Sequence, residues 1–390
     1  MEKLLAILGM GLVVGGAYLF STNKKDIQWV SVACAFIGQL VLAFLLIKTP
    51  LWKVVEWISN GVSWLIAHAV TGIDFVFGGL TDNFVLFLNS LLPIVFISSL
   101  VGLLFHFGIL QKFIQIVGKC VAKVLRVDTL VAVNGTANMF LGQSDSLFLT
   151  KDYLPNASDS VIFATLVGGM TSISVSVVGL YASYGAPMAW IIASMPLTVF
   201  STFVLTQLLY PTTYEDVETI EISMEDKGAN AIETMINYAN TGFKAVIGIV
   251  IALITFLSLV SLINGLLGLI NPSLSLESIL SIPFIPVAYL MGVSGEEVRA
   301  VAEILSVKLV TNEAVAFSLP QFAMLSESAK AMMTVTNCGF AGFGSVGILI
   351  GAYSAIAPNK VGTVAKLGLK ALVVATFVNI LTGAVVGVFL

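Results

Sequence analysis

Two short polar groups interrupt otherwise apolar sequence and could bind a solute. Gln143, Ser144 and Asp145 place an amide, a hydroxyl and a carboxylate at consecutive positions between two short apolar runs. In the second half of the chain, Asn312 and Glu313 place an amide and a carboxylate in the middle of another short apolar segment. A carboxylate inside a membrane segment is by default a functional-site hypothesis. Two polar-tipped segments, one in each half, predict a midplane site in a transporter built from repeats.

The composition places the chain in the membrane. Its 390 residues are 58% hydrophobic and only 10% charged, and the mean hydropathy is +1.01. Soluble domains carry about 25% charged residues. We therefore expect a multi-pass protein of the cell membrane, either a plasma or an inner membrane. The net charge of −4 does not favour a nucleic-acid partner.

Eight apolar runs are long enough to be predicted as transmembrane helices. They are residues 4–20, 29–47, 86–110, 161–184, 188–210, 245–270, 331–357 and 367–390. Segment 49–83 mixes tryptophans with charged residues and is predicted to lie at the membrane interface. Segment 111–128 spaces basic residues along an apolar helical pattern, which predicts an interfacial amphipathic helix.

Other apolar segments are too short or too irregular to cross a bilayer as continuous helices. Residues 129–149 and 282–317 are predicted as re-entrant hairpins, whose tips are tolerated only inside protein or beside a water-filled cavity. Residues 168–179 contain four hydroxyls and three glycines. That pattern favours a locally unwound helix that offers carbonyls to a ligand, and the alternative is a packing face of small residues. Residues 338–347 break a second predicted span in the same way.

The order of hairpin, broken span and closing span occurs twice, which indicates an internal repeat. If the first hairpin enters from the cytoplasm, the two copies run in opposite senses, and the positions of most basic residues favour this arrangement. The predicted fold class is all-α and polytopic, with eight transmembrane helices plus two re-entrant hairpins in an inverted repeat, with interfacial helices.

Enzymatic chemistry is poorly supported by the sequence. It contains no His-Glu-x-x-His, Gly-x-Ser-x-Gly, P-loop or Gly-x-Gly-x-x-Gly motif. Its two histidines, His68 and His106, are far apart in sequence, so a zinc site or a catalytic triad is not indicated. A membrane-embedded enzyme stays open as an alternative from a different class, and it would consume a solute that a carrier delivers intact.

Three motifs, in the same order and with similar spacing, resemble those of the concentrative nucleoside transporter family. Residues 142–145 (Gly-Gln-Ser-Asp) resemble its Gly-Gln-Thr/Ser-Glu signature, and Asn312-Glu313 resembles its hairpin motif. Residues 338–341 (Cys-Gly-Phe-Ala) are similar to its Gly-Phe-Ala-Asn stretch. The resemblance covers essentially the whole chain and implies a homotrimer in the lipid membrane. It also implies nucleoside import driven by a sodium or proton gradient, through an elevator-like movement.

The resemblance also implies a division of the chain into a scaffold and a mobile transport domain. Residues 1–128 would hold scaffold spans and interfacial helices, 129–210 the first transport-domain repeat, 211–270 an acidic cytoplasmic segment with the sixth, scaffold, span, and 271–390 the second transport-domain repeat. The acidic group in the third part is interpreted as a solvated loop without a chemical role.

The family's substrate residues can be carried over to matching positions. The resemblance implies that Gln143, Ser144 and Asp145 face the base, that Val177 packs on it, that Phe340 lines the pocket, and that Glu313 with Ser345 binds the ribose hydroxyls. Two positions depart from the family pattern, because Asp145 replaces a Glu and Gly342 replaces an Asn. Both changes shorten side chains, so we expect a roomier pocket with a preference for purine nucleosides. A nucleobase or another small polar solute is the alternative substrate.

The coupling ion follows from the same resemblance. In sodium-coupled members the matching ligands are the side chains of Asn138 and Ser172 and the backbone carbonyls of Leu141 and Ile173. Unwound helices supply such oxygens beside a substrate site. Sodium is therefore expected, with a proton as the alternative. A purely structural interpretation also stays open, in which Asn138 caps a turn and Ser172 bonds its own helix.

Overall fold

The structure is a computed structural model that describes residues 2–81, 83–212, 220, 222, 228–272 and 274–390. All regular structure within those residues is helical. The first ten helices are α1 Glu2–Leu19, α2 Trp29–Lys48, α3 Trp52–Phe77, α4 Pro93–His106, α5 Ile109–Leu125, α6 Thr129–Asn138, α7 Asp145–Leu149, α8 Asp159–Thr171, α9 Val178–Ser183 and α10 Met188–Leu209. The next nine are α11 Ala231–Ile270, α12 Leu276–Leu280, α13 Ile285–Leu290, α14 Glu297–Val310, α15 Glu313–Ser318, α16 Pro320–Ala323, α17 Glu327–Asn337, α18 Phe343–Ile356 and α19 Val361–Phe389.

Eight helices of the described chain are long and apolar enough to cross a membrane. Seven coincide with predicted spans, although α11 begins at Ala231 and not at 245. The eighth is Trp52–Leu80, which was predicted to be interfacial. The 26 residues of α3 form a helix of about 39 Å, longer than the hydrocarbon core of about 30 Å. Length and composition therefore make this segment a candidate span, and its location at the membrane interface stays a prediction.

The predicted span 331–357 is not a single continuous helix. It consists of α17, with 11 residues, and α18, with 14, separated by residues 338–342. The predicted span 161–184 is divided in the same way, because α8 ends at Thr171 and Ser172 is extended, with φ −109° and ψ 169°. A short 3₁₀ turn at Val175–Val177 then leads into α9. Both predicted helix breaks are confirmed.

Two helical hairpins precede the broken helices. In the first, α6 packs against α7, and Asn134 Nδ2 donates to the carbonyl of Ser146 at 3.1 Å. In the second, α14 packs against the α15–α16 segment, and Gln321 Nε2 donates to Glu303 Oε2 at 3.1 Å. The order of hairpin, broken helix and long closing helix therefore occurs twice, ending in α10 and in α19.

The amphipathic helix α5 is flanked by two residues in the left-handed conformation. Gly108, with φ 74°, precedes it, and Arg126, with φ 52°, follows it. Its buried side chains recur every three or four residues, which forms one apolar stripe. They are Leu110, Ile114, Gly118, Ala122 and Leu125. This stripe packs on α6, where a side chain at Gly118 would lie 2.8 Å from the Cα of Val133. The prediction of an amphipathic helix here is confirmed.

The long helix α11 packs along α4. Gly102 of α4 faces Tyr238, and Gly242 of α11 faces Ser98, so small residues allow the two helices to approach closely. At the end of α4, Nδ1 of His106 lies 2.9 Å from Thr234 Oγ1. The acidic residues predicted to form a cytoplasmic loop lie outside the described residues. They are Glu215, Asp216, Glu218, Glu221, Glu225 and Asp226.

Candidate substrate and cation site

The tip of the first hairpin buries an amide oxygen that lacks a hydrogen-bond partner among the described residues. Gln143 is 7% exposed, and its Oε1 has no partner among the described residues. A Cβ added at Gly169 of α8 would lie 3.3 Å from the Cβ of Gln143, so the tip rests on a glycine. Buried polar atoms are normally satisfied, and an exception calls for a ligand, a water or a strained role. The Gln143 amide oxygen is therefore available to accept a hydrogen bond from a solute.

The other two polar residues of this tip are more accessible. Ser144 is half-buried and Asp145, the first residue of α7, is exposed. A Cβ at Gly142 would lie 3.7 Å from Asp145 Oδ2, so the carboxylate folds back toward the tip. The structure places all three residues at one tip, with Gln143 the most buried.

Asn138 and Ser172 both lie close to Gly168 of α8. Both side chains are buried. Ser172 Oγ donates to the carbonyl of Gly168 at 3.0 Å, and a Cβ at Gly168 would lie 3.6 Å from Asn138 Nδ2. Asn138 Oδ1 accepts a hydrogen bond from Ser146 Oγ at 2.6 Å. The amide oxygen and the hydroxyl each retain a lone pair for another ligand.

The two predicted carbonyl ligands flank a direct contact between the hairpin tip and the helix break. Ser174 Oγ donates to the carbonyl of Phe140 at 3.3 Å. The neighbouring residues Leu141 and Ile173 are buried in non-helical backbone. Hard oxygen donors from an amide, a hydroxyl and unwound carbonyls suit an alkali cation, so the residues present fit sodium. Within the described residues, no group of three or more His, Cys, Asp or Glu residues suggests a different metal site.

Glu313 of the second hairpin is anchored to the first repeat by a tyrosine. Tyr181 Oη donates to Glu313 Oε1 at 2.9 Å, and the Tyr181 ring stacks on Phe317 with centroids 4.9 Å apart. Tyr181 lies four residues after Val177, which is 7% exposed. Sequence reasoning selected Glu313 and Val177 but missed Tyr181. Its spacing of one helical turn from Val177 was the available signal.

The helix after the second break connects to the first hairpin. Ser345 Oγ donates to the carbonyl of Phe340, which closes the turn that begins α18. Ser345, Leu349 and Tyr353 recur every four residues and form a buried face. A Cβ at Gly169 would lie 3.5 Å from Leu349 Cδ2, close to Gln143. Ser345 therefore shares a helix face with a residue that packs beside the hairpin tip.

Gly342 does not simply enlarge the pocket. A Cβ at this position would lie 3.1 Å from the carbonyl oxygen of Thr311 and 3.3 Å from that of Lys308. The space beside Gly342 is therefore occupied by the carboxyl end of α14, and the expectation of extra room at this position is wrong. The absent side chain instead allows the second hairpin to approach the start of α18 closely.

Three family models match successive parts of the chain. The model described as "Na+ dependent nucleoside transporter N-terminus" matches residues 8–80. "Nucleoside recognition", a gate model, matches residues 87–188. "Na+ dependent nucleoside transporter C-terminus" matches residues 190–387. Together the matches extend over nearly the whole chain and include both hairpins.

Individual proteins are similar over the same length. An uncharacterized transporter of Haemophilus influenzae is 33% identical over 100% of this chain and 98% of its own. The nucleoside permease NupC of Helicobacter pylori is 31% identical, with coverage of 100% and 98%. The purine nucleoside transport protein NupG of Bacillus subtilis is 30% identical, with 100% of both chains covered.

Solved structures of a transporter in two states resemble the fold. CNTnw in an inward-facing substrate-bound state has a TM-score of 0.93 at 31% identity, with 100% of this chain and 98% of that chain covered. A CNTnw variant in an outward-facing state has a TM-score of 0.94 at 31% identity, with 100% and 99% covered. The named relatives are transporters, so the alternative of a membrane-embedded enzyme is set aside. The family models, the relatives and the shared architecture all agree, and this chain belongs to the concentrative nucleoside transporter family.

Proposed function

We propose that this protein imports nucleosides across the cell membrane by sodium symport, using an elevator-type movement. One observation carries the proposal: the buried amide oxygen of Gln143, which has no partner among the described residues, lies beside α8 and α18, and Glu313 reaches the same broken helix from the second hairpin. A nucleoside is polar but uncharged, with a flat base and a ribose diol. It needs paired hydrogen-bonding groups within a mostly apolar pocket, and these residues supply them.

Each candidate residue has a proposed role. Gln143, Ser144 and Asp145 bind polar atoms of the base, and Val177 and Phe340 pack against its faces. Glu313 accepts hydrogen bonds from ribose hydroxyls, which makes charge-assisted bonds stronger than neutral ones. Ser345 contributes a hydroxyl to the ribose. The Tyr181 hydroxyl occupies Glu313 Oε1 and so orients the carboxylate.

Sodium is proposed to bind where the first hairpin meets the break of α8. Asn138 and Ser172 supply side-chain oxygens, and Leu141 and Ile173 supply backbone carbonyls. All four residues are buried, and the family description names sodium dependence. Because this site adjoins Gln143 at the same hairpin tip, ion and nucleoside binding are expected to favour one another. A proton is the alternative coupling ion.

The assembly and the movement are also proposals. We assign residues 1–128 and 211–270 to a scaffold, and residues 129–210 and 271–390 to a transport domain. The scaffold is proposed to form a homotrimer, and the exposed apolar side chains along α11, such as Ile251, Ile254 and Leu262, are available for partner subunits or lipid. The transport domain is proposed to slide against this scaffold. Native mass spectrometry of the purified protein tests the trimer.

Purine nucleosides are proposed to be preferred. Shortening Glu to Asp145 leaves room beside the base, and one relative is named as a purine nucleoside transport protein. Competition of labelled adenosine uptake by unlabelled inosine, guanosine, uridine and cytidine tests this preference. Stronger competition by uridine and cytidine than by the purines would reverse it.

Uptake into proteoliposomes tests the function directly. Labelled uridine and adenosine should accumulate under an inward sodium gradient and should not accumulate when choline replaces sodium. Labelled uracil and hypoxanthine test the alternative of a nucleobase carrier in parallel. If no nucleoside is carried or competes, the proposed substrate is wrong. Uptake that follows a pH gradient and ignores sodium would identify the proton as the coupling ion.

A further inference from the structure

A buried lysine lies five residues before Glu313. Lys308 of α14 is 4% exposed, and its Nζ donates to the carbonyl of Thr336 at 2.5 Å. The Asn379 side-chain amide is oriented so that its nitrogen faces the Thr171 carbonyl and its oxygen faces Lys308. In this orientation Asn379 Oδ1 lies 2.8 Å from the same Nζ. Within the described chain no carboxylate forms an ion pair with Lys308. Lysines are almost never fully buried unless they are paired, so the ammonium needs another source of negative charge.

Two helix ends supply that charge. Thr336 lies in the last turn of α17, and Thr171 is the last residue of α8. Asn379 Nδ2 donates to the carbonyl of Thr171 at 3.0 Å while Asn379 Oδ1 accepts from Lys308. The final carbonyls of a helix have no partner within the helix and carry partial negative charge. The ammonium therefore lies where the carboxyl ends of both broken helices converge.

The surrounding packing leaves little freedom for this arrangement. A Cβ at Gly339, in the second break, would lie 2.5 Å from the carbonyl oxygen of Thr171 and 2.4 Å from the side-chain amide group of Asn379. The break after α17 thus lies directly on the end of α8. Lys308 joins the second hairpin to this junction through its side chain.

We infer that Lys308 is a tethered cation that holds the second hairpin on the joined ends of α8 and α17, and thereby positions Glu313 for the ribose. Only Thr311 and Asn312 separate the end of α14 from Glu313, so a displaced Lys308 shifts the carboxylate. In the first repeat, an exchangeable sodium ion is proposed to bind at the helix break. In the second repeat, the Lys308 ammonium supplies the cation. The inference rests on the proposed role of Glu313 in nucleoside binding.

The test compares three variants of the full-length protein in nanodiscs, with binding of uridine and of sodium measured separately. Lys308→Met removes the charge and keeps much of the side-chain length. Because buried helix-end carbonyls then lose a charged partner, the uridine Kd should rise about tenfold or more. Sodium affinity without nucleoside should stay within about twofold. Lys308→Arg keeps a cation and should bind uridine more tightly than Lys308→Met. Lys330→Met is the matched control, because Lys330 is a partly buried lysine that pairs with Glu327 at 3.6 Å, and it should leave both affinities unchanged.

Chemical rescue separates a cation from mere packing. In Lys308→Ala, millimolar propylammonium should restore uridine binding and raise the thermal midpoint, and 1-propanol of equal size should do neither. A variant that folds only with the amine supports the inference. Wild-type uridine affinity in Lys308→Met, or a loss in Lys308→Ala that the amine does not reverse, would overturn it. Failure of the wild-type protein to bind any nucleoside would instead refute the proposed function.

Discussion

Glu313 is the residue on which most of the candidate site depends. Its carboxylate comes directly after Asn312, which caps α15 by accepting from the Val315 amide at 2.9 Å. One carboxylate oxygen accepts from Tyr181, and the stacking of Tyr181 on Phe317 fixes the donor. The cap and the tyrosine together fix the direction of the carboxylate before substrate binds. Preorganisation of this kind lowers the entropic cost of binding.

Replacing Glu313 with glutamine should weaken ribonucleoside binding. The Glu313→Gln side chain keeps its size but loses the charge-assisted bonds, which are worth about 1.5–3 kcal/mol. Isothermal titration with uridine and with 2′,3′-dideoxyuridine measures the effect, and the loss should be larger for uridine. Equal losses for the two ligands would remove Glu313 from the ribose.

Replacing Tyr181 with phenylalanine should weaken uridine binding through Glu313. The Tyr181→Phe variant keeps the stacking on Phe317 and loses one hydrogen bond to the Glu313 carboxylate, and bonds to charged groups are worth about 1.5–3 kcal/mol. In the Glu313→Gln background the same change should cost less, because residues in contact show coupled effects. The double-mutant cycle is measured as four uridine Kd values. Strictly additive effects would show that Tyr181 does not act through Glu313.

At the scale of elements, two interrupted helices meet end to end. The ends of α8 and α17 are joined by Asn379 and Lys308, and Gly339 lets them touch. Helix breaks free backbone groups, and at membrane depth such groups are tolerated only when protein or water satisfies them. The junction satisfies two of these carbonyls, those of Thr336 and Thr171, with side chains from α14 and α19. It therefore links the second hairpin to both broken helices.

Gly339→Ala should destabilise this junction. The new Cβ would lie 2.5 Å from the backbone oxygen of Thr171, and overpacking of this kind costs about 1–3 kcal/mol. Gly344→Ala is the matched control, because a Cβ there meets nothing within 4 Å and alanine favours a helix. Thermal unfolding of both variants in detergent measures the difference. A Gly339→Ala protein as stable as the control would contradict the described packing.

At the scale of the molecule, the proposed scaffold and transport domain touch along α2 and α10. Gln39 Nε2 donates to Ser201 Oγ across this interface, while Thr382 Oγ1 donates to the same Ser201 oxygen at 2.7 Å from α19. Ser201 is therefore held on one side by the proposed scaffold and on the other by the proposed transport domain. An elevator movement must break the first contact and preserve the second.

Cross-linking at Ser201 tests this movement. Bridging Gln39→Cys to Ser201→Cys with a short bifunctional thiosulfonate should abolish uptake and leave nucleoside binding intact. Bridging Ser201→Cys to Thr382→Cys is the control, because both residues belong to the proposed transport domain, and uptake should continue. Both pairs are made in a background with Cys34, Cys120 and Cys338 replaced. Full uptake with the first bridge closed would rule out sliding at this interface.

Sodium and nucleoside should each raise the affinity for the other by the same factor, because binding linkage is reciprocal. Asn138→Ala removes a proposed sodium ligand and should abolish this coupling while leaving most of the sodium-free nucleoside affinity. Titrations of each ligand at several fixed concentrations of the other measure the factor. Unchanged coupling in Asn138→Ala would place the ion elsewhere.

Local sequence determined the class, the repeat and the interruptions of this protein. A membrane span needs about 20 apolar residues, and polar or glycine-rich breaks are visible in such a run, so both hairpins and both broken helices were predictable. The family resemblance came from the same local motifs. Segment 52–80 is ambiguous at this level, because its tryptophans and charges favour an interface while its length and composition also make it a candidate span.

Tertiary structure alone decided which side chains meet. Tyr181 and Glu313 are 132 residues apart in sequence, and Lys308 reaches Asn379 from a different helix. Neither contact follows from periodicity, because the relative placement of two hairpins depends on how all the helices pack together. Packing also decides the surroundings of Gly342. Its missing side chain suggests free space, but the end of α14 lies beside it. Sequence periodicity describes each helix by itself, and contacts between distant helices depend on a packing that no single helix specifies.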